Sequence, residues 1–181
     1  MNEKEMQEMA LEEGFARACW IDVDNLVFDH DLRQYCVENT CGNYGRNYAC
    51  PPDCGTPEHM ETRARHYRRA LVLQTVQKVD SVMNTEQTKT ARQFHNMITR
   101  ELVTAYESQG IQGLCVMAGP CSYCSRCARI QGEACRFPEK AASCLSAYCI
   151  DAGAMAETCE MPYWCGNEEV PFFSIFLTGK R

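Results

Sequence analysis

The feature that most constrains this chain is a cysteine run between Gly119 and Pro138. Three cysteines recur with two residues between them, and a fourth follows after seven more: Cys121, Cys124, Cys127 and Cys135. A two-residue gap lets one tight turn direct successive sulfurs inward, so a single loop supplies three ligands and a more distant arm supplies the fourth. Clustered thiolates are the ligands of zinc and of iron–sulfur clusters. The run therefore predicts a metal site.

The spacing favours an iron–sulfur cluster over zinc. Structural zinc usually takes two separated Cys-x2-Cys pairs. The pattern Cys-x2-Cys-x2-Cys is typical of ferredoxin-like proteins that bind a 4Fe-4S cluster, where a proline often follows the last ligand. This chain departs from that pattern, because its last gap is longer and Pro138 stands three residues after Cys135. Zinc is the alternative, and thiols that bind no metal are a further one.

The number of cysteines, 14 in 181 residues, is far above ordinary usage. A chain of this length can bury an ordinary core and needs no disulfides to stay folded. Residues 1–17 form an acidic segment, a short helix or a frayed tail with little to bury, and they lack the apolar stretch of a secretory signal. We therefore expect a cytoplasmic protein with reduced cysteines, in which dense cysteine indicates metal binding or catalysis.

Charge and motifs exclude several other classes. A net charge of −6 and a pI near 5.3 weigh against nucleic-acid binding. No run of apolar residues is long enough to predict a membrane span. The chain has no P-loop, no Rossmann fingerprint and no HExxH motif, so we assign no catalytic residue. We expect one cysteine-rich metal-binding domain over residues 1–181.

A second cysteine-rich stretch lies between residues 36 and 55. Its four cysteines are Cys36, Cys41, Cys50 and Cys54. Several glycines and asparagines and the pair Pro51-Pro52 predict a loop, because these residues favour or fix turn conformations. The gaps match no zinc pattern and resemble a ferredoxin only in part. We predict a second or shared metal site here; the alternative is a surface loop with buried thiols.

The remaining chain predicts an α/β fold. Strands are expected at 70–79, 111–118 and 170–178, with a short strand or hairpin at 18–28. Helices are expected from Pro57, from Asn84 to Gln109, from Pro138 and over 151–160. A strand, a long helix and a strand in succession predict a βαβ crossover with two parallel strands in a small sheet. The loop at Gly119 would then leave the carboxyl end of a strand, where binding sites gather. His95 is interpreted as a core histidine.

The cysteine runs also carry a resemblance to a known family. The strings Cys41…Cys50-Pro51-Pro52, Gly119-Pro120-Cys121-x2-Cys124-x2-Cys127, Cys135-Arg136-x-Pro138-Glu139-Lys140-Ala141 and Ile150-Asp151 resemble the domain-of-unknown-function family 2284. Its members are described as predicted metal-binding proteins. The resemblance extends from about Val27 to the C-terminus. It implies one cysteine group of Cys36, Cys41 and Cys50, and another of Cys121, Cys124, Cys127 and Cys135.

The chain departs from this family pattern near the Ile150-Asp151 pair. The family has a cysteine two residues before that pair, where this chain has Tyr148, and Cys149 is displaced by one position. Cys54 is additional. The fourth ligand of the first group is therefore Cys54, Cys149 or none, and three protein ligands would leave one iron open. The other cysteines are interpreted as core or incidental thiols: Cys19, Cys115, Cys144, Cys159 and Cys165.

These observations predict an iron–sulfur protein with one or two 4Fe-4S clusters that acts in electron transfer or as a redox accessory, with a redox partner protein. Nearby cations would partly offset the charge of the second cluster: Arg126, Arg129, Arg136 and Lys140. Two alternatives remain open at this stage. One is a structural zinc-binding interaction module, and the other is an enzyme that uses an open iron site.

Overall fold

The structure, a computed structural model, describes residues 1–181. Its four strands are β1 (Arg17–Asp22), β2 (Tyr67–Lys78), β3 (Gly113–Val116) and β4 (Glu169–Lys180). Its α-helices are α1 (Glu3–Glu12), α2 (Gln34–Val37), α3 (Pro57–Arg65), α4 (Thr85–Ser108) and α5 (Ala152–Thr158). The strands form one sheet in the order β1-β2-β4-β3, and every neighbouring pair is antiparallel.

The α/β class is confirmed, but a crossover between neighbouring parallel strands is not. Strands β2 and β3 flank the helix α4 in sequence, and both pair antiparallel with β4. They therefore run in the same direction, with β4 between them. The C-terminal strand takes this central position because its apolar residues can be buried on both faces: Phe173, Ile175, Phe176 and Leu177 are all buried.

The sheet separates two hydrophobic clusters. Side chains alternate between the faces of a strand. Along β2, Leu71 and Leu73 join the cluster that contains residues of α1 and α4, whereas Ala70 and Val72 join the cluster that contains residues of α3 and α5. The cluster with residues of α3 and α5 also contains Ala147, Tyr148 and Ile150, which follow the cysteine-rich loops. The sheet thus anchors both ends of the region that carries the cysteines.

The two helices with strong sequence signals begin at the expected residues. The Thr56 side chain accepts a hydrogen bond from the backbone N–H of His59, with Pro57 in the first turn. Asn84 caps α4 in the same way through the N–H of Gln87. The last helix, α5, is capped by Asp151, whose carboxylate accepts from two backbone N–H groups.

The acidic N-terminal segment forms the helix α1, which is one of its two predicted alternatives. The prediction that it has little to bury is wrong, because the side chains of Met6 and Ala10 are buried against the sheet. The helix predicted from Pro138 is also wrong. The segment that begins at Pro138 forms only a 3-10 turn, Pro138–Lys140, because the chain then extends and Cys144 forms an isolated bridge with Met117. None of the helices has the length and apolar character required to cross a membrane.

Candidate metal centre

The two cysteine-rich loops lie directly against each other. The buried side-chain amide of Asn47 donates to the carbonyl of Cys121 (2.8 Å), and the Tyr48 hydroxyl donates to the carbonyl of Glu133 (2.7 Å). The guanidinium of Arg129 forms an ion pair with the carboxylate of Asp53 (2.9 Å). Three polar contacts therefore join residues 36–55 to residues 119–137, although the two loops are far apart in sequence.

The second cysteine group surrounds one small cavity. All four of its cysteines line a space of about 20 Å³: Cys121, Cys124, Cys127 and Cys135. Tyr48 and Ala49 of the first loop line the same space. The start of the loop is fixed by Asn96 of α4, whose side chain bonds both the N–H (3.1 Å) and the carbonyl (2.7 Å) of Ala118. Gly119 then turns the chain with φ of +72°, a conformation that favours glycine.

A further thiol, Cys144, influences the titration of the first cysteine group. Burial raises the pKa of Cys50, and the nearby thiols of Cys144, Cys41, Cys54 and Cys36 raise it further. Burial also raises the pKa of Cys36 to about 11, and of the thiols beside it Cys144 has the strongest influence. Cys144 also packs against the core cluster that contains residues of α3 and α5. Its interpretation as a core or incidental thiol stays a prediction.

The Cys144 thiol lies beside a turn of the backbone. Burial raises the pKa of Cys144, and the backbone N–H groups of Ala147, Cys144 and Ser146 oppose part of that rise. Because the net direction is upward, the neutral thiol is the favoured form. The turn Ser146–Tyr148 begins two residues after Cys144. No spacing in the sequence indicated that Cys144 would lie near the first loop.

Arg33 fastens the turn after Cys144 to the first loop. Its guanidinium donates to the carbonyl of Gly55 (2.8 Å) and to the carbonyl of Ala147 (2.6 Å). Gly55 follows Cys54, and Ala147 stands three residues after Cys144. The Nε atom of Arg33 is buried without a hydrogen-bond partner. The side chain of Arg33, the residue before α2, thus links the first loop to the turn after Cys144.

Cys149 lies beside Arg33. Burial raises the pKa of Cys149, and Arg33 lowers it through charge and a hydrogen bond; the other charges near it are Asp29 and Glu58. Its sulfur lies 4.0 Å from the carbonyl oxygen of His30. Arg33 also donates to the carbonyl of Gly55, the residue after Cys54. The choice of Cys54 or Cys149 as the fourth ligand stays a prediction.

Only part of the expected positive charge is available to the second group. Arg129 is paired with Asp53 (2.9 Å), and Arg136 is paired with Glu133 (3.1 Å). No carboxylate lies within 4 Å of the charged groups of Arg126 or Lys140. These two cations remain to offset negative charge at the loop.

Two other thiols and two imidazoles lie outside both cysteine groups. Burial raises the pKa of Cys159, which contacts Cys19 away from both groups. The imidazole of His30 bonds Glu61 (2.7 Å). His95 is fully buried with Nδ1 bonded to Thr75 Oγ1 (3.0 Å) and Nε2 unpartnered, and burial lowers its pKa to about 3.

The donor set fits a soft metal or an iron–sulfur cluster. Thiols are the potential soft ligands that both loops share, and all fourteen cysteines of the chain are free. No group of three or more His, Cys, Asp or Glu side chains has an arrangement that holds a single metal ion. The two cysteine-rich loops meet at residues 47–49, which line the small cavity of the second group.

The comparisons with known proteins give one match. The sequence model of a protein family described as "Predicted metal-binding protein (DUF2284)" matches residues 19–178. No curated protein and no solved structure matches the chain.

Proposed function

Because the chain belongs to the domain-of-unknown-function family 2284, the predicted metal-binding proteins, we propose that the metal is held as two 4Fe-4S clusters. The observation that carries the proposal is the meeting of two thiol groups from distant parts of the sequence. They are joined by the contacts of Asn47, Tyr48 and Arg129. Groups made of thiols alone favour iron–sulfur clusters and zinc over hard cations.

The second cluster would be held by the four cysteines around the small cavity: Cys121, Cys124, Cys127 and Cys135. Three of them follow the Cys-x2-Cys-x2-Cys pattern of ferredoxin-like clusters. A cluster with four thiolate ligands has no open iron and is suited to electron transfer without bond formation. Arg126 and Lys140, which no carboxylate neutralises, would raise its reduction potential.

The first cluster would be held by Cys36, Cys41, Cys50 and Cys144. The choice of Cys144 over Cys54 rests on the charge influence of Cys144, which is the strongest among the thiols that act on the pKa of Cys36 and of Cys50. The Cys54 thiol instead lies 3.8 Å from the carbonyl of Gly55, to which it donates. Ligand sulfurs that accept hydrogen bonds are characteristic of iron–sulfur proteins, where these bonds tune the potential.

In this proposal the protein transfers electrons between partners in a reducing compartment such as the cytoplasm. Its electron partner would be a protein that docks near the second group, where Arg126 is unpaired and the sulfurs of the loop are partly exposed. An acidic surface on the partner would complement that cation.

Anaerobic purification followed by analysis of iron, zinc and acid-labile sulfide tests the proposal. We expect equimolar iron and sulfide, a brown protein, and a paramagnetic-resonance signal after reduction. Zinc without sulfide would refute the clusters and favour a structural zinc module, which would unfold when a chelator removes the metal. A protein with neither metal would refute metal binding by these thiols.

A further inference from the structure

A large cavity adjoins the second cysteine group. Its volume is about 660 Å³, and it lies between the C-terminal half of α4, the edge strand β3 and residues 138–142. Cys121 and Tyr123 line both this cavity and the small space among the cysteines. Small-molecule sites usually have volumes of about 300 to 1,000 Å³. The cavity is therefore large enough for a small organic molecule that contacts a predicted cluster ligand.

The floor of the cavity is apolar. Val103, Leu114 and Met117 contribute hydrophobic side chains from α4 and from the region of β3. The Cys115 sulfur lies 3.2 Å from that of Met117, and burial raises the pKa of Cys115 to about 12. This thiol stays neutral near pH 7 and adds to the apolar lining. We expect a ligand that packs against these side chains to have an apolar body.

Positive charge is concentrated at the cysteine end of the cavity. The charged groups of Arg100 and Lys140 lie 5.9 and 5.5 Å from the ring centroid of Tyr123. Arg100 donates to the Ser122 hydroxyl (2.7 Å), and neither cation has a carboxylate within 4 Å. Both therefore keep N–H donors free for an anion.

The cavity also has carboxylates: Glu101, Glu107 and Glu139. Glu107 lies seven residues beyond Arg100 on α4, about 10 Å farther along the helix axis. Arg63 is a third cation in the lining. Equal numbers of the two signs make the cavity neutral as a whole, and the charges of Glu107 and Glu139 act on Lys140. The basic end is therefore defined by the two cations around the ring of Tyr123 and not by a lack of carboxylates.

We propose that this cavity binds a small organic carboxylate with a planar apolar body, with its carboxylate between Arg100 and Lys140 and its body on the floor of Leu114 and Met117. The bound molecule lies beside Cys121, where electrons enter or leave under the proposed function. Binding itself depends on the cavity and not on which metal the cysteines hold.

Fluorine magnetic resonance on the anaerobically purified full chain tests the proposal with three probes of similar shape: 4-fluorobenzoate, 4-fluorobenzyl alcohol and 4-fluorobenzylamine. We expect the benzoate to bind most tightly, at least about tenfold more tightly than the alcohol, because a carboxylate gains charge-assisted hydrogen bonds. The amine should bind most weakly. Equal binding of the three probes, tightest binding of the amine, or no binding would overturn the proposal.

Substitutions locate the carboxylate. Arg100→Gln should weaken benzoate binding about tenfold and leave the alcohol unchanged. The matched control is Lys89→Gln, an exposed cation on the same helix that does not line the cavity, and it should change neither. Thr104→Trp should fill the cavity and abolish binding of all three probes, with circular dichroism as the check on folding.

Unchanged benzoate binding in both Arg100→Gln and Thr104→Trp would show that the probe binds elsewhere, and the proposal would be wrong. Iron and sulfide contents are measured on the same samples. Loss of probe binding with normal iron, or normal binding without iron, separates a failure of this proposal from a failure of the cluster proposal.

Discussion

Replacing Cys144 with serine should remove one of two clusters. Two 4Fe-4S clusters contain about eight iron atoms and about eight sulfides per chain, so the Cys144→Ser variant should retain about four of each. The reason is that Cys144 has the strongest thiol influence on the pKa of both Cys36 and Cys50. A serine hydroxyl has nearly the same size but is a poor ligand for iron.

Two single substitutions serve as matched controls. Cys149→Ser changes a buried thiol only five residues away, whose neighbours are Arg33 and the carbonyl of His30, so about eight iron atoms should remain. Cys54→Ser changes the remaining thiol of the first group and should also leave about eight. The unfolding transition of each variant, followed by circular dichroism, shows whether lost iron reflects a lost ligand or a lost fold.

The assay is colorimetric iron and sulfide analysis on protein purified without oxygen, combined with paramagnetic resonance after reduction. The Cys144→Ser spectrum should lose the signal of one cluster and any coupling between two. Full iron in Cys144→Ser, together with half the iron in Cys54→Ser or Cys149→Ser, would refute the assignment of the fourth ligand. Loss of all iron in Cys144→Ser with an intact fold would refute two independent sites.

Three further predictions concern other residues. Cys124→Ser should also leave about half of the iron, whereas unchanged iron would remove the second loop as a site. Because burial lowers the pKa of His95 from 6.5 to about 3, only the unfolded chain takes up this proton as pH falls below 6.5. The free energy of unfolding should therefore decrease by about 2 kcal/mol between pH 6.5 and 5, as measured by urea titration. The His95→Gln variant should lack this decrease. An equal decrease in the variant would contradict the prediction. Asn47→Ala should destabilise the protein by about 1 to 3 kcal/mol and speed iron loss to a chelator, because the carbonyl of Cys121 loses its buried donor. Asn43→Ala, which removes a bond within one exposed turn, should have a smaller effect in both measurements, and equal effects would refute a special role for Asn47.

Local signals predicted the helices and strands more successfully than the arrangement of the sheet. The Thr56-Pro57 pair and Asn84 mark helix starts because their capping groups act within one turn of the chain. The position of β4 between β2 and β3 has no comparable signal. Periodicity shows that a strand is buried, but the choice of its two neighbours depends on contacts between segments far apart in sequence.

The same distinction applies to the cysteines. The short spacing of Cys121, Cys124 and Cys127 makes their proximity readable from the sequence, because a single loop connects them. Cys144 was missed because its neighbour Cys50 lies 94 positions earlier, and because a helix was expected after Pro138. An extended segment there carries Cys144 back to Met117 and on toward the first loop. The proximity of Cys50 and Cys144 therefore depends on the tertiary fold and cannot be read from the local sequence.

The central position of β4 has a consequence for biosynthesis. Strand β3, which precedes the second cysteine loop, has β4 as its only partner strand in the sheet. During translation the loop therefore emerges before the strand that anchors it, about fifty residues earlier, which is roughly 3 to 10 s of elongation. During that interval the thiols of both loops belong to a chain whose sheet is not yet complete. We expect metal to enter only after β4 has been synthesised and has paired with β3.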